Sequence, residues 1–374
     1  MILTNEVLLK LKPEDKRKEI FKEYYQCSID GRYCIENYFT VMSKLKRVPF
    51  KLFPHQIDTY NAFEKYTNCI SMKSRQMGFT TFTSAYIAWK ICTVNNFKVL
   101  IVSKTMPAAK EFVKIIKDIL DEARKNYPWL ICDYLKGYNN KESFHLTNGS
   151  IVKAEATSES AGRGLDGMSL IVGDEVAFID RRSPGKMAEI WASVSPSLAS
   201  TQGKAIMIST PKGTSGWYYD TYTNAKEKGF HIIDAHWTRH PIYSLGQYQW
   251  IPDSKIKEGG KLKFFDDKPW PEAIFEKEAG TYIKVEKEKY KFITDGKIRS
   301  PWYDMESSKI SPHLVKCELD CSFAGTGGEV LDSDKLREMK QFAEAQIFTK
   351  PFEKLKGFIL NIENFLNIQK EINM

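Results

Sequence analysis

The chain has 374 residues, 42% of them hydrophobic and 13% aromatic; that is enough for one large domain or two ordinary ones with a buried core, and it excludes a disordered polymer. Net charge is +8 and the pI about 8.9, a moderate excess that permits a polyanionic partner without demonstrating one. Seven cysteines stand singly at 27, 34, 69, 92, 132, 317 and 321, an odd count without paired metal spacing, so reduced thiols are expected rather than a disulfide framework or a zinc site.

Residues 1–50 are charged, with helical spacing around Glu14–Tyr25, and read as a small N-terminal helical segment. The first residues lack a basic-then-apolar signal pattern, and no apolar run reaches the ~18 residues of a membrane helix, so no membrane partner is expected. From Pro54 to about Tyr66 the pattern is that of an amphipathic helix. Asn68–Met72 is a short apolar strand, followed at once by Lys73-Ser-Arg-Gln-Met-Gly-Phe-Thr-Thr81. Phe82, Ala85, Tyr86 and Trp89 recur at three and four, which predicts a helix over 80–93. Lys98–Ser103 is a second strand and Ala108–Arg124 a second amphipathic helix. Phe144–Thr147, the Asn148–Gly149 turn and Ser150–Glu155 form a β-rich stretch. Ser169–Gly173, Lys204–Ser209 and His231–His236 complete five buried strands. Apolar strands alternating with amphipathic helices predict an α/β domain with a mainly parallel sheet over about 51–240, binding its ligand at the strands' carboxyl edge. Residues 241–335 are rich in lysine and aromatics with weak periodicity, which suggests a helical or irregular subdomain. Residues 336–374 read as a tail or linker.

The segment Lys73–Thr81 looks like a phosphate-binding loop with its usual lysine missing. Such a loop needs converging backbone N–H groups, a cation and a hydroxyl for magnesium, commonly spelled G-x-x-x-x-G-K-[ST]. Here Gly78 is the second glycine and Thr80 the hydroxyl, Phe79 holds the lysine place, and Lys73 holds the first glycine place. Arg75 supplies a second cation. The bland alternative is a strand–turn–helix with solvated cations. The strand Leu170–Gly173 then ends on Asp174-Glu175. Adjacent carboxylates closing a buried apolar strand are costly without a partner. Asp174 suits a magnesium shell and Glu175 an attacking water, as general base or orienter. Gln56 reads either as an adenine-recognising amide or as a helix-start glutamine. Ser209-Thr210-Pro211 reads either as a sensor of the γ-phosphate or as a turn. Arg163, in a Gly-Arg-Gly loop, completes a site, contacts nucleic acid or is solvated.

In this order the residues resemble the large terminase subunit of tailed bacteriophages, the motor that drives DNA into preformed capsids. Ser74-Arg-Gln-Met-Gly-Phe-Thr-Thr81 is similar to that family's S-R-Q-x-G-K-T loop, and the displaced Lys73 resembles the deviant loop of lambda-type terminases. Asp174-Glu-Val-Ala-Phe-Ile179 is similar to its D-E-x-A-F-I segment, Ile208-Ser-Thr-Pro-Lys-Gly213 to its coupling motif, and Pro54-His-Gln56 to its adenine motif. The resemblance implies a P-loop NTPase with a RecA-like sheet, using ATP and Mg2+. Lys73, Ser74, Arg75, Gln76, Met77, Gly78, Phe79, Thr80 and Thr81 would cradle the nucleotide and Gln56 its base. Thr80 and Asp174 would hold the metal, and Glu175, with Lys73 and Arg75, would carry catalysis. Ser209, Thr210 and Pro211 would couple hydrolysis to movement. It further implies double-stranded DNA, a portal protein and a small subunit as partners, a homo-oligomeric ring, and a place in the host cytoplasm, transiently at the procapsid portal. The family usually adds a C-terminal nuclease domain. The residues after Glu318–Thr326 are too few to build one, so the expectation is a motor whose cutter is lost, split onto a separate chain or trimmed, and Asp320 is not expected to be a nuclease ligand. Two rivals stand beside this reading: a superfamily 2-type helicase or translocase, which needs a second RecA-like domain, and a non-catalytic nucleic-acid-binding assembly protein with a decayed loop.

Overall fold

Val99, Leu100, Ile101 and Val102 are four successive residues without exposed surface, the mark of a strand covered on both faces. In the computed structural model, which describes residues 3, 5–43, 46–155, 167–253, 259–277 and 280–323, that strand lies inside an eight-stranded sheet. In chain order its strands are β1 (Asn68–Lys73), β2 (Lys98–Ser103), β3 (Tyr134–Asn139), β4 (Ser143–Leu146), β5 (Ile151–Glu155), β6 (Leu170–Asp174), β7 (Lys204–Ser209) and β8 (His231–Ala235). Across the sheet the order is β8-β1-β7-β6-β2-β5-β4-β3. The six strands from β8 to β5 run parallel, and β4 and β3 close the far edge antiparallel.

Side chains alternate across a strand, so each strand feeds two cores. Val99 and Ile101 enter one cluster with Phe82, Phe112 and Ile116. Leu100 and Val102 enter the other with Ile171, Met187 and Met207. The first face carries α1 (Pro54–Lys65), α2 (Phe79–Thr93) and α3 (Met106–Asn126). Every residue of α2 from Phe82 to Trp89 is buried, so this helix needs cover on all sides. The N-terminal segment supplies part of that cover. Gly31, opening the helix Gly31–Tyr38, lies so close to Trp89 that a Cβ would stand 2.5 Å from its ring, and Trp89 Nε1 donates to the carbonyl of Cys27 at 2.7 Å. Residues 1–50, expected to be helical, contain the helices Pro13–Ile29 and Gly31–Tyr38 but also an antiparallel ribbon of Thr40–Ser43 with Lys46–Pro49. Lys-Leu-Lys-Arg over 44–47 masks the ribbon by giving it almost no apolar alternation.

The segment after residue 241 differs from its helical or irregular expectation. Tyr248–Pro252 pairs antiparallel with Gly260–Phe264 and with Ile298–Arg299, Ala273–Glu276 pairs with Thr281–Lys284, and among the described residues α-helices follow at Pro301–Ser308 and Pro312–Glu318. A polar hub organises it. Asp304 accepts from Tyr248 and Tyr290 hydroxyls at 2.6 and 2.5 Å and from Arg299 at 2.5 Å. Hydrogen bonds between distant side chains leave no hydrophobic period, which is why the pattern was weak. Among the described residues no helix is long and apolar enough to cross a membrane.

Candidate nucleotide site

The loop from Ser74 to Gly78 joins β1 to α2 at the carboxyl edge of the sheet. Gln76 and Gly78 both take left-handed backbone angles, with φ of 64° and 73°, so successive N–H groups can curl around one point as an anion nest. Among the described residues none of the N–H groups from Gln76 to Thr80 meets an acceptor, and those of Phe79 and Thr80 are the orphan donors of a helix start. Met77 and Phe79 are each 1% exposed and belong to the core; the Phe79 ring lies near-parallel to His55, 6.3 Å away. The place of the usual lysine is therefore spent on packing. Thr80 and Thr81 are half-buried on the first turn of α2.

Lys73 closes β1, and its Nζ stands 3.0 Å from Glu175 Oε1. The two sequence motifs thus share one cleft, with β7 between their strands. Lys73 is 6% exposed; burial presses its pKa down, but the charges of Glu175 and Asp174 reverse that and hold it above the ordinary value. Asp174 is 7% exposed. Burial first and the Glu175 charge second push its carboxyl up to about 6, against the opposing pull of Lys73 and Lys104. Glu175 has a φ of 55°, a left-handed conformation rare for such a residue and typical of strained functional positions. Asp174 Oδ1, Glu175 Oε2 and Thr210 Oγ1 are buried without a hydrogen-bond partner. Unpaired buried oxygens beside free N–H donors fit a hydrated divalent cation and a polyphosphate.

Arg75 is exposed, and its backbone N–H donates to the carbonyl of Glu318 at 2.6 Å. The hydroxyl of Ser74 donates to Leu319 O at 2.6 Å and accepts from Trp237 N at 2.9 Å, so it ties the loop to two distant segments. Gln56 is 2% exposed. Its Oε1 accepts from Phe53 N at 3.0 Å, closing the start of α1, while its Nε2 faces Gly78 closely enough to lie 3.0 Å from a Cβ built there. Ser209 Oγ accepts from Ala177 N at 3.2 Å, which joins the end of β7 to the turn after the acidic pair; Thr210 and Pro211 are buried beside it. Arg163 lies outside the described residues. Asp320 accepts from Tyr303 at 2.6 Å and pairs with Lys297 at 2.9 Å, the contacts of a structural anchor.

Four residues behind the loop and the acidic pair escaped sequence reasoning. His55 Nε2 lies 3.0 Å from Met77 O, Tyr243 donates to Gln76 O at 3.0 Å, and Asp180 accepts from Met187 N at 2.8 Å and Trp217 N at 2.6 Å. The fourth is Lys104, whose charge acts on Asp174. The only available signal was that His55 stands beside Gln56 and Asp180 just beyond the acidic pair.

A loop of unpaired N–H donors at the end of one parallel strand, with an acidic pair on another across a single intervening strand, is the arrangement of a P-loop NTPase with a RecA-like sheet. The family profile described as "Terminase large subunit, T4likevirus-type, N-terminal" matches residues 70–338, and the chain belongs to that family. Among solved structures it is similar to the large terminase ATPase domain of Thermus phage P74-26, with 14% identity and a TM-score of 0.44 over 73% of this chain and 94% of that one. It is similar to the large terminase of the thermophilic bacteriophage D6E in complex with ADP, with 18% identity and a TM-score of 0.39 over 50% of this chain and 46% of that one. The HK97 bacteriophage large terminase gives 16% and 0.44 over 56% of this chain and 43% of that one.

Proposed function

We propose that this chain is the ATPase part of a viral DNA-packaging motor, hydrolysing ATP to translocate double-stranded DNA into a capsid. Membership of the terminase large-subunit family supports the reaction class. The observation that carries the site assignment is the 3.0 Å Lys73–Glu175 contact, with unpaired carboxylate oxygens beside it. On this reading the N–H groups of Gln76 to Thr80 receive the phosphates, with Thr81 at the rim and Arg75 and Lys73 supplying positive charge. Gln56 offers its Nε2 to the adenine edge. Thr80 and Asp174 are the residues that would hold Mg2+, which would supply positive charge against the phosphates. Glu175 orients the attacking water through Oε2 and takes up its proton; Lys73, its resting counter-ion, supplies positive charge on the γ-phosphate side. Catalysis is then mainly positioning and charge stabilisation. Ser209 and Thr210 register the state of the γ-phosphate side and pass it through Ala177 and Pro211.

DNA is held chiefly through its phosphates, and the lysines after residue 241 are candidates for that contact. A homo-oligomeric ring, a portal protein and a small subunit are the assembly partners, and the host cytoplasm and the procapsid portal its place of action. No endonuclease role is assigned to the described residues, because the Asp320 carboxylate is already occupied by Tyr303 and Lys297. The test is DNA-stimulated phosphate release by the parent and by Glu175→Gln. Turnover is expected in the parent and a loss of about 10²-fold or more in the variant; equal rates would remove Glu175 from its role.

A further inference from the structure

A trans peptide unit holds its C=O and the following N–H on opposite sides. A donor that grips the carbonyl from outside the loop therefore aims the next N–H inward. Two consecutive units of the phosphate loop are gripped in this way. The Tyr243 hydroxyl donates to Gln76 O at 3.0 Å, which turns the Met77 N–H into the cleft. His55 Nε2 lies 3.0 Å from Met77 O, which turns the Gly78 N–H the same way. A carbonyl can only accept, so His55 carries its proton on Nε2, and its Nδ1 is buried without a partner, as suits a neutral ring. Both groups come from outside the loop: His55 from α1, and Tyr243 from the turn after residue 240 that leads out of the sheet.

We infer that Tyr243 and His55 are positioning residues that set the N–H donors of the phosphate loop for a nucleotide's phosphates. The inference rests on the nucleotide reading above and deepens it. With Phe79 in the lysine place, the loop relies more heavily on its backbone donors, so their aim matters more. The Tyr243 hydroxyl is itself tightly fixed. Its ring is stacked between His240, 3.6 Å away at 11°, and Trp302, 3.8 Å away at 5°. Its backbone N–H donates to His240 Nδ1 at 3.3 Å, and its carbonyl accepts from Ser300 Oγ at 2.7 Å. Tyr243→Phe keeps the stack and deletes the hydroxyl's contact to the loop.

The experiment measures KM for ATP, kcat and the thermal midpoint for the full chain, Tyr243→Phe, and the pair His55→Gln and His55→Leu. Loss of one aimed donor is expected to raise KM about five- to tenfold in Tyr243→Phe with kcat within about twofold. His55→Gln, whose amide still donates, should stay near the parent, and His55→Leu should resemble Tyr243→Phe. An unchanged KM in Tyr243→Phe and His55→Leu, or a fall in kcat at constant KM, would overturn the inference. The His55 pair decides the matter if Tyr243→Phe does not fold. Absence of ATP turnover in the parent would instead sink the functional reading, so the two failures are distinguishable.

Discussion

Lys73 is a nearly buried cation, tolerable only because Asp174 and Glu175 lie against it. Lys73→Ala therefore removes more than a phosphate contact. It leaves two carboxylates unbalanced, and a loss of about 2 kcal/mol of folding stability is expected, less than for a wholly buried pair because Glu175 keeps 20% of its side chain exposed. Arg75 is exposed and, among the described residues, its side chain makes no hydrogen bond or ion pair, so Arg75→Ala should change stability by less than about 0.5 kcal/mol while still weakening ATP binding. Denaturant titration of the two variants without nucleotide separates them; equal stability losses would contradict this division. Glu175 adds a different cost. Its left-handed backbone is of order 1 kcal/mol of strain, retained where the chain turns the carboxylate back toward Lys73.

At the scale of elements, α2 begins at the phosphate loop and is buried along its length, so whatever covers it steadies the site from behind. The Gly31–Trp89 approach is the tightest such contact. Gly31→Ala forces a methyl group into the indole ring, and a loss of about 1–3 kcal/mol is expected. Because the change sits at the far end of α2, KM for ATP should remain near that of the parent. Thermal melting with parallel kinetics tests this, and a raised KM with an unchanged melting point would be the contrary result. The same coverage explains why the first fifty residues are not an appendage: Cys34, Ile35, Tyr38 and Phe39 all lie in the main core.

For the whole molecule, acid should loosen the fold through His240. Burial first, and second the repulsion that His55 exerts once it too is protonated, lower its pKa from 6.5 to about 3. Its Nδ1 accepts two backbone N–H groups, from Ile242 at 3.2 Å and Tyr243 at 3.3 Å, which only the neutral ring can do at that atom. The folded-state pKa is depressed, so the unfolded chain binds the proton first as pH falls, and stability is lost from about 6.5 downward toward 3. Between pH 7.5 and pH 5 this group alone should remove about 2 kcal/mol. His240→Asn keeps an acceptor without the titration, so its stability should fall less over that interval; parallel curves for parent and variant would refute the assignment. The packing reading makes its own global prediction. DNA stimulation of ATP hydrolysis should drop steeply between 50 and 200 mM salt and be indifferent to base sequence, and stimulation insensitive to salt would argue against a phosphate grip.

The parallel sheet was legible because β1, β2 and β7 are local runs of apolar residues, and burial on both faces requires such runs whatever the neighbours are. The meeting of Lys73 with the Asp174-Glu175 pair was legible too, since each ends a strand of one parallel sheet at the same edge. Tertiary structure alone decided what Phe79 does, since only packing against His55 and the core tells a buried ring from an exposed one. It alone brought Tyr243 to Gln76 across 167 residues and Leu319 to Ser74 across 245. Every residue carries a carbonyl, so a distant side chain that grips one writes no pattern into the sequence; its partner exists only once the chain has folded.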